Sequence, residues 1–285
     1  MRLISFEFQG SPSYGLVRDG GGVVDAGSRL RGHYPDLKAV LGSGALDELQ
    51  ALADAPPDLD LSEIAHLPVI PNAGKILCVG INYLSHIKET GREIPRHPVL
   101  FTRFADTFVG HDQALVRPKV STDLDYEGEL AVIIGRPGRH IDRSQALEHV
   151  AGYTCCNEGS VRDFQYHTIQ FTAGKNFYHS GSLGPWLLTS DEQPDPGRFH
   201  LQTRINGDIL QDAPVSDLCF DIPSLIEYCS IWTPLAPGDI IVTGTPGGVG
   251  RVRKPPIWMK PGDTVEIDIR GLGTLRNSVV DENDN

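Results

Sequence analysis

Two glutamates, Glu127 and Glu129, are separated by one glycine in the segment DYEGEL (125–130). The next residues, AVIIG, predict a buried strand, and side chains two residues apart project from the same face of a strand. Neighbouring carboxylates beside a core repel each other unless a proton or a cation separates them. Mg²⁺, Mn²⁺ and Ca²⁺ take oxygen ligands of this kind. One interpretation is therefore a metal site, and the other is a solvent-facing strand edge with two exposed acids.

A second group of polar residues follows about thirty positions later, in CNEGSVRDFQ (156–165), directly after an apolar strand pattern. Glu158 is a candidate third carboxylate. Arg162 and Gln165 are spaced by about one helical turn, so they could contact a single ligand. The alternative is a capped turn that carries a surface ion pair.

His86 and Glu89 fall at positions i and i+3 of a short helix predicted over YLSHIKETG (83–91), with Asn82 as its N-cap and Gly91 at its end. A carboxylate bonded to imidazole raises its basicity and fixes its tautomer, as a general base requires. The alternative is an exposed helix face. Lys175, in FTAGKNF (171–177), could place a cation on a developing oxyanion.

A glycine-rich loop, TGTPGGVG (243–250), follows a strand pattern and could hold an anion through its backbone N–H groups. It has no Gly-Lys-Ser/Thr ending, and no helix pattern follows it, which excludes a P-loop and a dinucleotide fingerprint. The sequence also lacks a Gly-x-Ser-x-Gly elbow, which disfavours a serine hydrolase.

The elements that must position these residues form two predicted units. Residues 1–70 read as short strands followed by a helical segment, and prolines near position 71 mark a boundary with a second unit over 71–285. In that unit, Asn206-Gly207 predicts a tight hairpin and Asp221 caps a predicted helix with Pro223 in its first turn. A further helix is predicted over DRSQALEHV (142–150).

Composition narrows the class of protein. The 285 residues are 40% hydrophobic and carry a formal charge of −12, which disfavours nucleic acid and anionic membranes as partners. The five cysteines include no Cys-x-x-Cys pair, so neither a disulfide framework nor structural zinc is expected. No apolar run approaches the roughly 20 residues of a membrane span, and the N-terminus lacks a signal-peptide core. We therefore expect a cytoplasmic location.

Taken in order, the segments KILCVGINYLSHIKETG, DYEGELAVIIG, GYTCCNEGSVRDFQ, FTAGKNF, GPW, INGDILQD and IIVTGTPGGVG resemble the fumarylacetoacetate hydrolase family over residues 72–280. The resemblance implies a mixed, β-rich α+β fold. Its catalytic domain would be a β-roll, preceded by a small N-terminal α/β domain, and the chain would form a homodimer.

The resemblance also implies roles for individual residues. Mg²⁺ or Mn²⁺, with Ca²⁺ as a further candidate, would be bound by Glu127, Glu129 and Glu158, the last of which stands where the family usually has aspartate. His86, held by Glu89, would deprotonate water, and Lys175 would stabilise the oxyanion. Substrate contacts are implied for Arg162, Gln165, Thr245 and Arg103, the last of which replaces a usual lysine and would face the distal end of the substrate.

The expected function is hydrolysis of a carbon–carbon bond in a small 2-oxo or 1,3-diketo acid, such as an acylpyruvate or a compound like fumarylacetoacetate. The alternative within the family is a metal-dependent 2-oxo acid decarboxylase, hydratase or isomerase, as in aromatic catabolism. Fold alone does not choose between these reactions. A third hypothesis, a non-catalytic ligand-binding member, predicts loss of the carboxylates or of the base, and this chain retains both.

Overall fold

A computed structural model describes residues 1–91 and 93–283 of the chain. The N-terminal strands are β1 (Arg2–Phe8), β2 (Ser11–Val17), β3 (Gly22–Asp25), β4 (Leu59–Asp60) and β5 (Ala65–His66). The central strands are β6 (Ile76–Gly80), β7 (Val99–Thr102), β8 (Phe108–Val109), β9 (Leu115–Arg117), β10 (Leu124–Asp125), β11 (Gly128–Ile134), β12 (Val150–Asn157), β13 (Ser160–Val161) and β14 (Gly181–Thr189). The C-terminal strands are β15 (His200–Ile205), β16 (Asp208–Pro214), β17 (Ile240–Val242), β18 (Thr264–Ile269) and β19 (Gly273–Asp281).

Helices are short and lie between the strands. The α-helices are α1 (Ala26–Leu30), α2 (Leu37–Gly42), α3 (Leu46–Gln50), α4 (Leu84–Thr90), α5 (Arg162–Gln165), α6 (Thr172–Lys175) and α7 (Ile222–Trp232). The 3₁₀ helices are Leu61–Glu63, Ala105–Thr107, Arg143–His149, Pro196–Arg198, Val215–Asp217 and Gly250–Val252. The predicted β-rich α+β class is confirmed.

The largest sheet combines the N-terminal strands with strands of the second predicted unit. Its strand order is β4-β3-β2-β1-β14-β12-β11-β17-β6-β7, with β5 paired to β1 and β8 paired to β14. A second sheet has the order β16-β15-β18-β19-β9, and β10 pairs with β13. Since β1 pairs with β14, the N-terminal strands continue the sheet of the second unit. The domain boundary near residue 71 stays a prediction.

Strand β11 lies in the middle of the core, as its apolar run predicts. Leu130, Val132 and Ile134 pack in the cluster that includes residues of the second sheet, whereas Ala131 and Ile133 pack in the cluster that includes α2. Both faces of the strand are therefore covered, which explains why the run has no polar alternation. Within the described residues, no helix has the length and apolar character that crossing a membrane requires.

Local signals predict several elements correctly. Asn206 and Gly207, both at positive φ, connect β15 to β16 in the predicted hairpin. The side chain of Asp221 accepts a hydrogen bond from the Ser224 N–H at the start of α7. Gly91 ends α4 in the left-handed conformation. Each signal acts within a few residues, so distant packing does not override it.

The helix predicted over residues 142–150 is present as a 3₁₀ helix, Arg143–His149, which Asp142 caps. The N-cap prediction at Asn82 is wrong. Asn82 does not cap α4, which begins after Tyr83. Instead, the buried Asn82 amide donates to Thr243 O and Phe220 O and accepts from the Phe220 N–H. It therefore joins the start of α4 to two segments far away in the chain.

We expect Asn82→Ala to lower the free energy of unfolding by about 3 kcal/mol, because it leaves buried backbone groups of Thr243 and Phe220 without partners. Chemical denaturation with matched m-values would measure this loss. Asn72→Ala removes an exposed bond to Asp36 and is the control, with an expected change below about 0.5 kcal/mol. Equal losses of unfolding free energy in the two variants would contradict a stabilising role for the buried Asn82 hydrogen bonds.

Candidate active site

Three glutamates meet where β11 begins and β12 ends. These strands are antiparallel and Gly128 pairs with Asn157, so residues about thirty positions apart become neighbours. Carboxylate oxygens of Glu127, Glu129 and Glu158 lie within 4.8 Å of one another, and all three side chains are buried. Glu127 precedes β11 rather than lying inside it, which differs from the predicted single strand, but the carboxylates still converge.

Lys175 and Arg162 contact this cluster most closely. Lys175 Nζ lies 3.0 Å from Glu127 Oε1 and 2.7 Å from Glu158 Oε2, and Arg162 Nη1 lies 2.7 Å from Glu127 Oε1. Burial alone would raise the pKa of Glu127, but the charges of Arg162 and Lys175 outweigh it and lower the pKa to about 2. Glu127 is therefore ionised at neutral pH.

The other two carboxyls have the opposite shift. Burial, together with the charges of Glu158 and Glu127, raises the pKa of Glu129 well above its usual range. Burial also raises the pKa of Glu158, despite the nearby Lys175. Glu158 Oε1 is buried, and none of the described residues donates a hydrogen bond to it. A set of convergent, partly unsatisfied carboxylate oxygens fits a hard divalent cation, which would take the place of protons.

His86 faces the same cavity as Glu127 and Glu129. Its Nδ1 lies 3.4 Å from Glu89 Oε2, and both Glu89 oxygens accept from the Gly248 N–H at 3.1 Å. Burial lowers the pKa of His86 below its usual 6.5, although Glu127 and Glu89 act in the opposite direction. The imidazole is therefore neutral at pH 7 and can accept a proton.

The glycine-rich loop holds anions through backbone N–H groups, as predicted, but these anions belong to the protein. Gly244, Gly248 and Gly250 donate to the carboxylates of Glu129, Glu89 and Asp125, respectively. A Cβ at position 250 would lie 1.8 Å from Ile257 O and 2.6 Å from Asp125 Oδ1, so only glycine fits there. The loop thus aligns acids from separate segments of the chain.

Asp125 lies in the DYEGEL segment, where residue type and spacing assign it no role. It is fully buried and accepts from Arg162 Nε at 2.7 Å, while Arg162 Nη1 donates to Gln165 Oε1 at 2.9 Å. Asp125 therefore orients the Arg162 and Gln165 pair on α5. Its place in the DYEGEL segment is the only sequence signal for this role.

Thr245 also faces the cavity, but its hydroxyl has protein partners. Thr245 Oγ1 donates to Gly128 O at 3.0 Å and accepts from Gln211 Nε2 at 2.8 Å. A substrate carboxylate would have to displace Gly128 O to receive that proton. Contact between Thr245 and substrate stays a prediction.

Arg103 does not line the cavity, and neither do Glu89 and Glu158. The Arg103 side chain has no solvent exposure, and its Nη1 lies 3.6 Å from Glu158 Oε1. The guanidinium points into the core, where it donates to Ser180 Oγ at 2.7 Å. The expectation that Arg103 contacts the distal end of a substrate is therefore revised.

The cavity itself is small, with about 60 Å³ of space, enough for several waters or one small acid. It is lined by His86, Glu127, Glu129, Arg162, Gln165, Lys175 and Thr245, which were predicted, and by Val79, Phe101, Tyr166, Phe171, Val249 and Arg251, which were not. Phe101 and Phe171 pack edge to face, with ring centroids 5.8 Å apart. Arg251 lies 3.9 Å above the Tyr166 ring. The apolar wall residues have no side-chain group that marks them as part of a site, so sequence spacing did not identify them.

Comparison with known proteins identifies similar chains. Residues 75–280 match the family model described as fumarylacetoacetate (FAA) hydrolase C-terminal. A mitochondrial oxaloacetate tautomerase from Xenopus laevis is 37% identical over 292 residues, which cover 98% of this chain and 90% of the relative. Because that relative is mitochondrial, a cytoplasmic location stays a prediction here.

Two solved structures are similar over almost the whole chain. A fumarylacetoacetate hydrolase from Exiguobacterium antarcticum has a TM-score of 0.87 and 33% identity, and covers 99% of this chain and 100% of its own. A maleylpyruvate hydrolase from Sphingobium sp. SYK-6, solved with manganese(II) and pyruvate, has a TM-score of 0.82 and 27% identity, with the same coverage. A manganese-containing relative and the buried glutamate cluster together suggest a divalent metal at this site.

We expect Mn²⁺ at about 100 times its Kd to raise the free energy of unfolding by about 2.7 kcal/mol, because only the folded chain brings the three carboxylates together. Glu129→Gln is expected to remove most of this increment. It should also raise the Tm of the metal-free protein, since burial makes ionised Glu129 unfavourable. Thermal unfolding with and without Mn²⁺ tests both effects. Glu148→Gln, which changes an exposed residue, is the control. If Mn²⁺ stabilised Glu129→Gln as much as the unmodified chain, Glu129 would not be a metal ligand.

Proposed function

Because this chain belongs to the fumarylacetoacetate hydrolase family, we propose that it is a divalent-metal-dependent enzyme that forms the enol or enolate of a small 2-oxo acid. The observation that carries the proposal is the position of His86, Glu127 and Glu129 on the walls of one small cavity, with a carboxylate oxygen of Glu158 within 4.8 Å of those of the other two glutamates. A base and a cation site on one cavity can remove a proton and stabilise the charge that develops on oxygen.

The residues that would hold the ion are Glu127, Glu129 and Glu158. When bound, Mg²⁺ or Mn²⁺ would act as a Lewis acid that polarises the 2-oxo carbonyl of the substrate. Arg162 and Gln165 face the same cavity as the cluster, and they would bind and orient the substrate carboxylate. Lys175 would donate a hydrogen bond to the oxygen on which negative charge develops.

His86 would act as the base, with Glu89 fixing its orientation. The Nδ1 contact with Glu89 leaves Nε2 to accept the proton, and the Gly248 N–H holds the Glu89 carboxylate in place. In keto–enol tautomerisation, His86 would take a proton from the carbon next to the 2-oxo group, and the oxygen would gain a proton in return. We favour this reaction because it is the one named for a full-length relative.

The second candidate is hydrolysis of a carbon–carbon bond, which is the expectation from the sequence. Here His86 would take a proton from water, whose oxygen bonds to the distal carbonyl carbon of an acylpyruvate. The electron pair of the broken C–C bond would remain on the pyruvate carbon, which then gains a proton. A maleylpyruvate hydrolase of similar structure supports this candidate.

Homodimer formation, which the family resemblance implies, also stays a prediction.

Two assays on the Mn²⁺-loaded protein separate these reactions. We expect the protein to accelerate decay of the oxaloacetate enol, followed by its ultraviolet absorbance, with no release of carbon dioxide. Product analysis with an acylpyruvate would detect the carboxylic acid and pyruvate that hydrolysis releases. Turnover of the acylpyruvate alone would select the second candidate, and inactivity in both assays would overturn the proposed function.

We expect His86→Asn to lower kcat by about 10²- to 10⁴-fold, because the proton acceptor is lost, while Mn²⁺ affinity stays unchanged. Steady-state kinetics and isothermal titration calorimetry measure the two quantities. The exposed His33→Asn is the control. Wild-type kcat in His86→Asn would refute the assignment of the base.

The same assignment predicts a pH profile. Burial lowers the pKa of His86, so the active neutral form predominates at pH 7 and is lost as the pH falls through a midpoint below 6.5. An acidic limb of kcat/KM centred above pH 6.5 would therefore contradict His86 as the base, and His86→Asn should lack this limb.

A further inference from the structure

Arg103 is a buried cation held on several sides. Its Nη1 donates to Gly159 O at 3.0 Å, Nη2 donates to Ser180 Oγ at 2.7 Å and Nε donates to Thr107 Oγ1 at 3.3 Å. The guanidinium carbon lies 4.4 Å from the centre of the Phe108 ring. These contacts fix the plane of the guanidinium as well as its position.

The same guanidinium faces Glu158. Nη1 lies 3.6 Å from Glu158 Oε1, the oxygen that receives no hydrogen bond from the described part of the chain, whereas Oε2 accepts from Lys175 at 2.7 Å. The carbonyl that Nη1 contacts belongs to Gly159, the next residue in the chain. Arg103 therefore holds the backbone of the turn that carries Glu158 and also attracts the Glu158 carboxylate.

The surroundings leave little room for this arrangement to shift. A Cβ at Gly181 would lie 3.0 Å from both terminal nitrogens of Arg103, and a Cβ at Gly159 would lie 2.0 Å from Ser180 O. Backbone thus packs directly on the guanidinium and on the turn. Because the interior is this dense, a small displacement of Arg103 must move the turn or leave a void.

We propose that Arg103 is a positioning residue that aims the Glu158 carboxylate at the divalent-ion site. The proposal rests on the proposed function, because it takes Glu158 as a metal ligand. Lysine at this position would keep the charge but would present one nitrogen in place of three donors in a plane, so it could not bond Gly159, Ser180 and Thr107 together. Replacing a residue that contacts a metal ligand typically lowers metal affinity by about 10- to 100-fold.

Arg103→Lys tests the proposal through Mn²⁺ affinity, measured by isothermal titration calorimetry on the full chain. We expect affinity to fall by about 10- to 100-fold. Arg136→Lys, which alters an exposed pair with Glu148, is the matched control and should leave affinity unchanged. Wild-type affinity in Arg103→Lys would overturn the proposal without affecting the proposed function.

A double-mutant cycle separates positioning from general damage. Mn²⁺ binding in the Glu158→Gln background is weaker and is measured from the free Mn²⁺ signal in electron paramagnetic resonance. In this background Arg103→Lys should change Mn²⁺ affinity by less than about threefold, because the two residues act through one contact. The same large loss in both backgrounds would mean that Arg103 supports the fold alone and would overturn the proposal. A wild-type chain that binds no Mn²⁺ would overturn both the proposal and the proposed function.

A second variant covers the case in which Arg103→Lys does not fold. Ser180→Ala removes the acceptor of the Nη2 hydrogen bond, together with the hydrogen bond that Ser180 Oγ donates to Phe177 O. We expect Ser180→Ala to lower Mn²⁺ affinity when Glu158 is present and to leave it unchanged in the Glu158→Gln background. Unchanged affinity of Ser180→Ala in the Glu158 chain would overturn the proposal.

Discussion

The structure depends on keeping several ionised groups together with very little water. A buried charge costs several kcal/mol unless a partner is held in good geometry. Almost complete burial is common to four acids and three bases: Asp125, Glu127, Glu129, Glu158, Arg103, Arg162 and Lys175. The acids outnumber the bases. Burial, together with the charges of neighbouring carboxylates, raises the pKa values of Glu129 and Glu158. A divalent ion would supply the positive charge that the three bases do not.

Backbone geometry meets much of this requirement. The loop from Gly244 to Gly250 gives N–H groups to three carboxylates that come from α4, from the residues before β11 and from β11 itself. Backbone donors do not add charge and cannot change rotamer, so they stabilise the acids without competing with a bound cation. The cation site, the base and Arg162 are consequently aligned by one short segment.

Sequence patterns predicted the parts of the site that follow from strand pairing and from ordered motifs. Glu127, Glu129 and Glu158 converge because β11 and β12 pair at the expected ends. Patterns could not predict the direction of a long side chain that packs against a remote segment. Arg103 turns toward Ser180, and Asn82 bonds residues about 140 and 160 positions away. Such contacts depend on tertiary packing, which single-sequence spacing does not encode.

The contact between Asp125 and the backbone N–H of Arg251 has an evolutionary consequence. Any residue except proline at position 251 can make that bond, whatever its side chain. The rim of the cavity can therefore accumulate substitutions while the acids beneath it keep their alignment. A lineage with this architecture could change which acids it accepts through a few replacements at the rim, without passing through inactive intermediates. Diversity of reactions on one set of carboxylates is the expected outcome of that separation.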